Sequence, residues 1–116
     1  MKALVGTRKG VMILAEKAGK WKLLKTHFEA VKCNLCSYDS HHKLIWAGVN
    51  HGHWGPKMHV SKDNGKSFQE TVVPQFPKES GQTLKDFWSL SVDKTGRIWL
   101  MMPVEFSKNL WCRPRF

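Results

Sequence analysis

The octapeptide Ser61-Lys62-Asp63-Asn64-Gly65-Lys66-Ser67-Phe68 decides how the rest of the chain is read. Its spacing is Ser-x-Asp-x-Gly-x-Ser-aromatic, and each fixed position has a physical task. A short acidic side chain such as Asp63 accepts hydrogen bonds from backbone N–H groups inside a tight turn. Gly65 supplies a positive φ that a residue with a Cβ resists. Ser61 and Ser67 can tie their hydroxyls to nearby backbone, and Phe68 offers a ring to pack between layers. An ordinary Asn-Gly hairpin turn shares part of this pattern. The flanking sequence therefore carries the distinction.

Working outward, Lys57–Ser61 leads into the turn and Ser67–Val73 leaves it. Before them come Val31–Tyr38, the polar turn Asp39-Ser40-His41-His42, Leu44–Asn50 and the loop His51-Gly52-His53-Trp54-Gly55-Pro56. Upstream, Ala3–Thr7, Val11–Glu16 and Trp21–Phe28 read as strands. Downstream, the Pro/Gly/Ser-rich Pro74–Gly81 separates this unit from Asp86–Val92, Arg97–Met102 and a weaker Val104–Ser107. Short apolar or alternating runs with frequent turn residues, and no sustained helical period, predict an all-β fold.

A repeat organises these strands. Asn34-Leu35-Cys36-Ser37-Tyr38-Asp39 and Phe87-Trp88-Ser89-Leu90-Ser91-Val92-Asp93 both end in Asp before a polar turn. Similar aromatic strands follow, Leu44-Ile45-Trp46-Ala47 and Arg97-Ile98-Trp99-Leu100. Trp46 and Trp99 are 53 residues apart, near the roughly 40–50 residues of one four-stranded propeller blade. One period earlier, Ala3-Leu4-Val5-Gly6-Thr7 aligns with Trp46-Ala47-Gly48-Val49-Asn50.

Together with Leu4–Val11 and Ile45–Pro56, the octapeptide resembles the Asp box of bacterial BNR/Asp-box repeat proteins. Members of that group are described as sialidase-like glycosyl hydrolases or WD40/YVTN/BNR-like repeat proteins. The resemblance covers residues 2–103 and implies about two and a half β-propeller blades. Residues 1–29 would be a partial blade (strands two to four), 30–74 a full blade with the Asp box, 75–81 a linker and 82–116 a partial, divergent blade. The Asp box itself is structural and sits on the outer rim. The pattern breaks at Phe106-Ser107-Lys108-Asn109-Leu110-Trp111, which lacks Asp-x-Gly. The expectation is either a truncated or frameshifted product, or a short chain whose ring is completed by a homo-oligomer.

Composition narrows the functional classes. The 116 residues are 41% hydrophobic and 24% charged, ordinary values for a globular domain. No apolar run reaches the roughly 20 residues of a membrane helix. The early charge in Met1–Arg8 does not suit a signal peptide, and three cysteines suit a reducing compartment. The expected location is cytoplasmic. The net charge of +10 favours polyanions such as anionic glycans. The fifteen lysines are scattered, with no run of three, which argues against nucleic acid.

Candidate chemistry is sparse. Arginine forks bind substrate carboxylates in sialidase-type sites. Here Arg8, Arg97, Arg113 and Arg115 accompany a single tyrosine, Tyr38, with no evident basic partner. Asp39, Asp86 and Asp93 fall at strand ends or turns, where turn-capping is the simpler role, so no two-carboxylate pair emerges. His51 and His53 lack a third ligand at fixed spacing, and Cys33-x-x-Cys36 should face opposite sides of a strand, so neither a metal nor a cofactor is expected. The remaining ligand candidates are Arg8 and Lys9 in one loop and His51, His53 and Trp54 in the next. There Trp54 could stack on a sugar ring and the histidines could donate hydrogen bonds. The sequence thus points to carbohydrate, with catalytic residues unassigned.

Overall fold

The structure, a computed structural model, describes residues 1–73, 75–101 and 104–106. These residues are all-β, with antiparallel sheets and no α-helix among them. The first sheet is the meander β1 (Lys2–Thr7), β2 (Gly10–Lys17) and β3 (Lys20–His27). The second is the four-stranded meander β4 (Lys32–Asp39), β5 (Leu44–Asn50), β6 (Pro56–Ser61) and β7 (Gln69–Thr71). β8 (Gln82–Leu84) follows, then β9 (Ser89–Val92), β10 (Ile98–Met101) and β11 (Val104–Phe106). β9 and β10 form a two-stranded third sheet, and β11 pairs with β8.

The strand order 4-5-6-7 follows from short connections, since a brief turn can only return the chain antiparallel beside itself. The expected strands through Ser61 all form. The run Ser67–Val73 contributes only Gln69–Thr71, because Ser67 is held in the preceding turn by Asp63. Within the expected linker, Lys78–Ser80 makes a 3-10 turn, and Gln82–Leu84 forms a strand that the polar sequence did not advertise.

Stacking of the sheets explains the burial pattern. Alternation along β1 and β2 places Leu4, Gly6, Val11 and Ile13 on one face. That face meets the second sheet, where Val11 clusters with Cys33, Ala47 and Val49. The opposite face of the second sheet carries Leu35, Trp46 and Met58, which pack with Phe87, Leu90 and Leu100. β5 is therefore covered on both sides, and its polar/apolar alternation disappears. Fully burying side chains such as Val11 and Val49 contributes roughly 1.5–3 kcal/mol each.

Two close approaches mark the stacking. A Cβ added at Gly6 would stand 3.2 Å from the Cys33 carbonyl oxygen, and one at Gly48 2.6 Å from the Phe87 ring. Leu4 and Gly6 thus occupy the places of Trp46 and Gly48, one residue from the expected alignment of Ala3 with Trp46. The slip arises because the lengths of the runs before the first sheet's turns differ from those of the second, and sheet faces, not counts, must match.

The cysteine pair also departs from expectation. A bulge between Cys33 and Leu35 adds one residue to β4, so Cys33 pairs with Val49 and Cys36 with Ala47. Both cysteines consequently share the face toward Gly6 rather than opposing faces.

Candidate functional site

The turn from Ser61 to Phe68 is built as a hydrogen-bond cage. Asp63 accepts from the Ser67 backbone N–H (2.8 Å), the Ser67 hydroxyl and the Ser61 hydroxyl (2.9 Å). Ser61, itself 1% exposed, accepts from the Gly65 N–H at 2.8 Å. Ser67 therefore ties to the carboxylate rather than to backbone. The Ser67 hydroxyl and N–H are the main influences holding Asp63 well below the usual carboxylate range, against a smaller opposing effect of desolvation. Gly65 has φ +92°, and a Cβ there would run into Ile13 at 2.5 Å. The turn also docks on the first sheet: the Gly65 carbonyl lies 2.6 Å from His27 Nε2, and Lys25 Nζ donates to the Lys66 carbonyl at 2.9 Å. Phe68 packs edge-on to His27 and Phe28, with centroids 4.7 and 5.3 Å away.

The two Asp-turns of the sequence repeat share one plan, an Asp that caps its own turn and accepts from a tryptophan of the next strand, with different spacing. Asp39 accepts from the His42 N–H (3.0 Å) and Trp46 Nε1 (3.3 Å), and its other close partner is His42 Nδ1 at 2.7 Å. Asp93 accepts from the Thr95 and Arg97 N–H groups and from Trp99 Nε1 at 3.1 Å. Both are turn caps, as their positions suggested. They differ in cover: Asp39 is buried and Trp46 half-buried, while Asp93 is half-buried and Trp99 58% exposed.

The loop between β5 and β6 forms a compact feature. Asn50 Oδ1 accepts from the Gly52 N–H, the Gly52 carbonyl from the Gly55 N–H and the Gly55 carbonyl from the His51 N–H. Gly52–Trp54 makes a 3-10 turn, so His51 and His53 do not share an extended face. His53 turns to Trp54, with rings 5.4 Å apart, whereas His51 approaches His59 at 6.3 Å.

Beneath this loop lies a cavity of about 370 Å³ lined by His51, Trp54, Lys57, His59 and Glu70. A larger one, about 870 Å³, runs from Trp54 along β7 to Gln82–Leu84. Trp54 lines both and remains 76% exposed. Lys57 Nζ and Glu70 Oε1 form an ion pair at 3.3 Å. The His59 ring stacks at 4.6 Å on Phe28, and its buried Nε2 has no partner among the described residues. Burial chiefly lowers its basicity, helped by the charges of His51 and Lys57 and opposed by Glu70, so His59 is neutral near pH 7.

Of the expected ligand residues, the structure brings His51 and Trp54 to one cavity and leaves Arg8, Lys9 and His53 outside its lining. Arg8 and Lys9 sit in an exposed turn closed by Thr7 Oγ1, which donates to the Gly10 carbonyl and accepts from the Lys9 N–H. Lys57, His59 and Glu70 were missed. Cross-strand pairing supplies them: His59 lies opposite Glu70 in the β6–β7 ladder, a register that the turn at Asp63–Ser67 fixes. Among the described residues no group of three His, Cys, Asp or Glu side chains could hold a metal ion. No described helix is long and apolar enough to cross a membrane. No protein-family model matches this chain, and no curated protein matches it.

Proposed function

We propose that this chain is a segment of a BNR/Asp-box β-propeller that binds carbohydrate, or a related polyhydroxylated and anionic small ligand, without turning it over. The observation that carries the reading is Trp54: a large aromatic, 76% exposed, standing over two adjoining cavities. A flat indole face offers an apolar platform for a sugar ring, while His51, Lys57 and Glu70 offer polar contacts at its edge. The +10 net charge adds a field that concentrates anionic ligands.

Among the described residues Glu70 is the single carboxylate lining either cavity, and it is engaged by Lys57. Hydrolysis by paired carboxylates requires two facing the same bond. Binding therefore fits the site better than the sialidase-like activity that the resemblance implies. The propeller assignment draws on the hydrogen-bonded box and on sheets stacked twice in one sense. Free Cys33 and Cys36 suit a reducing compartment such as the cytoplasm.

A mixed neutral and sialylated glycan array, followed by titration calorimetry of the best ligand, tests this. Trp54→Ala should weaken binding at least tenfold while the melting temperature is unchanged. Fluorogenic glycosides should show no turnover. Unaltered affinity in Trp54→Ala, or robust glycoside cleavage, would remove the proposal.

A further inference from the structure

The first, second and third sheets stack in one sense, and among the described residues each end of this stack is left open. In the interior, the face bearing Leu4 and Gly6 is covered by the second sheet through Cys33, and the face bearing Trp46 and Gly48 by Phe87 and Leu90. By the sequence repeat, Trp99 and Met101 occupy the corresponding places on the third sheet. Both are 58% exposed, with Ser89 and Ser91 opposite them in the ladder. Nothing in the described residues covers this face.

The other end shows the complementary surface. The outer face of the first sheet carries Ala3, Val5, Met12, Leu14, Trp21 and Leu23 by cross-strand register, with Thr26 opposite Met12 and Glu16 opposite Trp21. Val5 is 39% exposed, and Trp21 and Leu23 are each 50% exposed. All five lysines of this sheet (Lys2, Lys17, Lys20, Lys22 and Lys25) fall on the opposite side of the register. In a chain with net charge +10, a lysine-free sheet face that is apolar apart from Thr26 and Glu16 is suited to contact with another surface.

We infer that a second copy of this chain docks its outer Val5/Trp21/Leu23 face onto the Trp99/Met101 face, continuing between chains the stacking already present within one. Charge separates this partner from others. A polyanion would seek lysines, which lie off both faces; the charges beside them are one of each sign, Glu16 opposite Trp21 and Arg97 two residues before Trp99. A surface that meets a different surface of the next copy is heterologous, so repetition closes into a ring or extends as a filament. β1 is moreover an unpaired edge of the first sheet, and unpaired edges invite cover by another chain.

The test uses the whole chain and two surface variants, Leu23→Glu and Met101→Glu, each of which spoils one face only. Analytical ultracentrifugation at physiological ionic strength should find wild type larger than the 13.4-kDa chain, and each variant alone monomeric. An equimolar mixture should form a one-to-one heterodimer, because each variant retains the face its partner has lost. Circular dichroism and cooperative melting establish that both variants fold. If one does not, Val5→Lys or Trp99→Lys replaces it on the same face. Monomeric wild type overturns the inference, including the case in which further residues of the same chain cover Met101. Variants that still self-associate, or a mixture that stays monomeric, overturn it equally. The readout is mass, so it is independent of whether Trp54 binds a sugar.

Discussion

Gly48 lies directly under the ring of Phe87, so closely that a Cβ on Gly48 would fall 2.6 Å from Phe87 Cδ2 and 3.1 Å from Leu35 Cβ. Phe87 is 1% exposed and anchors the cluster with Leu35, Met58 and Leu90. It cannot retreat without opening that cluster. Gly48→Ala should therefore overpack the interface between the second and third sheets and cost about 1–3 kcal/mol. Gly6→Ala, whose nearest contact would be 3.2 Å, should cost less. Urea unfolding monitored by tryptophan fluorescence measures both, and an unchanged midpoint for Gly48→Ala would contradict the packing described.

Acid should weaken the fold through its Asp turns. At Asp39 burial pushes the carboxyl up, but the His42 N–H, the His42 ring and the Trp46 indole together outweigh it and hold it below its ordinary 3.8. At Asp93 the Thr95 hydroxyl and Trp99 indole lead in bringing the value down to about 2. The folded state thus binds fewer protons than the unfolded one as pH falls below 3.8. The contribution is complete above that value and drains as pH falls towards about 2. Melting temperatures recorded from pH 6 to pH 2 should fall steeply below about pH 4. Asp39→Asn should lose about 2 kcal/mol at pH 7, the worth of charge-assisted hydrogen bonds, and flatten the acid slope.

Local chemistry was legible where one residue type has one task. The cage at Ser61, Asp63 and Gly65 follows from short polar side chains and a positive φ, and the Asp39 and Asp93 turns follow from an Asp placed at the end of a strand before a polar turn. What escaped depends on distant contacts. The bulge between Cys33 and Leu35 puts both cysteines on the face toward Gly6, and no glycine or proline in that run marks it. β8 was missed because Gln82-Thr83-Leu84 has little strand character of its own and is paired only by β11. Lys57, His59 and Glu70 joined the cavity through cross-strand register, whereas His53 left it because Gly52 starts a 3-10 turn. The weaker strand expected at Val104–Ser107 forms as Val104–Phe106 and pairs with β8, and residues 102, 103 and 107–116 lie outside the described part of the chain.

Ser61 should prove the most sensitive hydroxyl in the molecule. It is 1% exposed, donates to Asp63 and accepts from the Gly65 N–H. Ser61→Ala leaves that buried N–H and one carboxylate lone pair without a partner, a loss of about 1–3 kcal/mol. Ser67→Ala, at an exposed position, should cost less because water can replace its hydroxyl. Chemical denaturation of the two variants side by side decides this, and equal midpoints would show that the cage is not cooperative.

Cys33 and Cys36 should be inert thiols in the folded state although both are free. Burial raises Cys33 to about 11, partly relieved by a backbone hydrogen bond from Leu35, and raises Cys36 to about 12, with Cys33 adding to the effect. The reactive species is the thiolate. Raising a thiol from 9.0 to about 11 reduces the thiolate at pH 8 about a hundredfold, before steric protection is counted. In a Cys112→Ser background, disulfide exchange with an aromatic disulfide reagent should therefore be at least a hundredfold slower in buffer than in denaturant. Its rate should rise with urea in parallel with unfolding. Rapid labelling of the folded protein would mean that the first and second sheets separate readily, and the close approach of Gly6 to Cys33 would then be a minor arrangement.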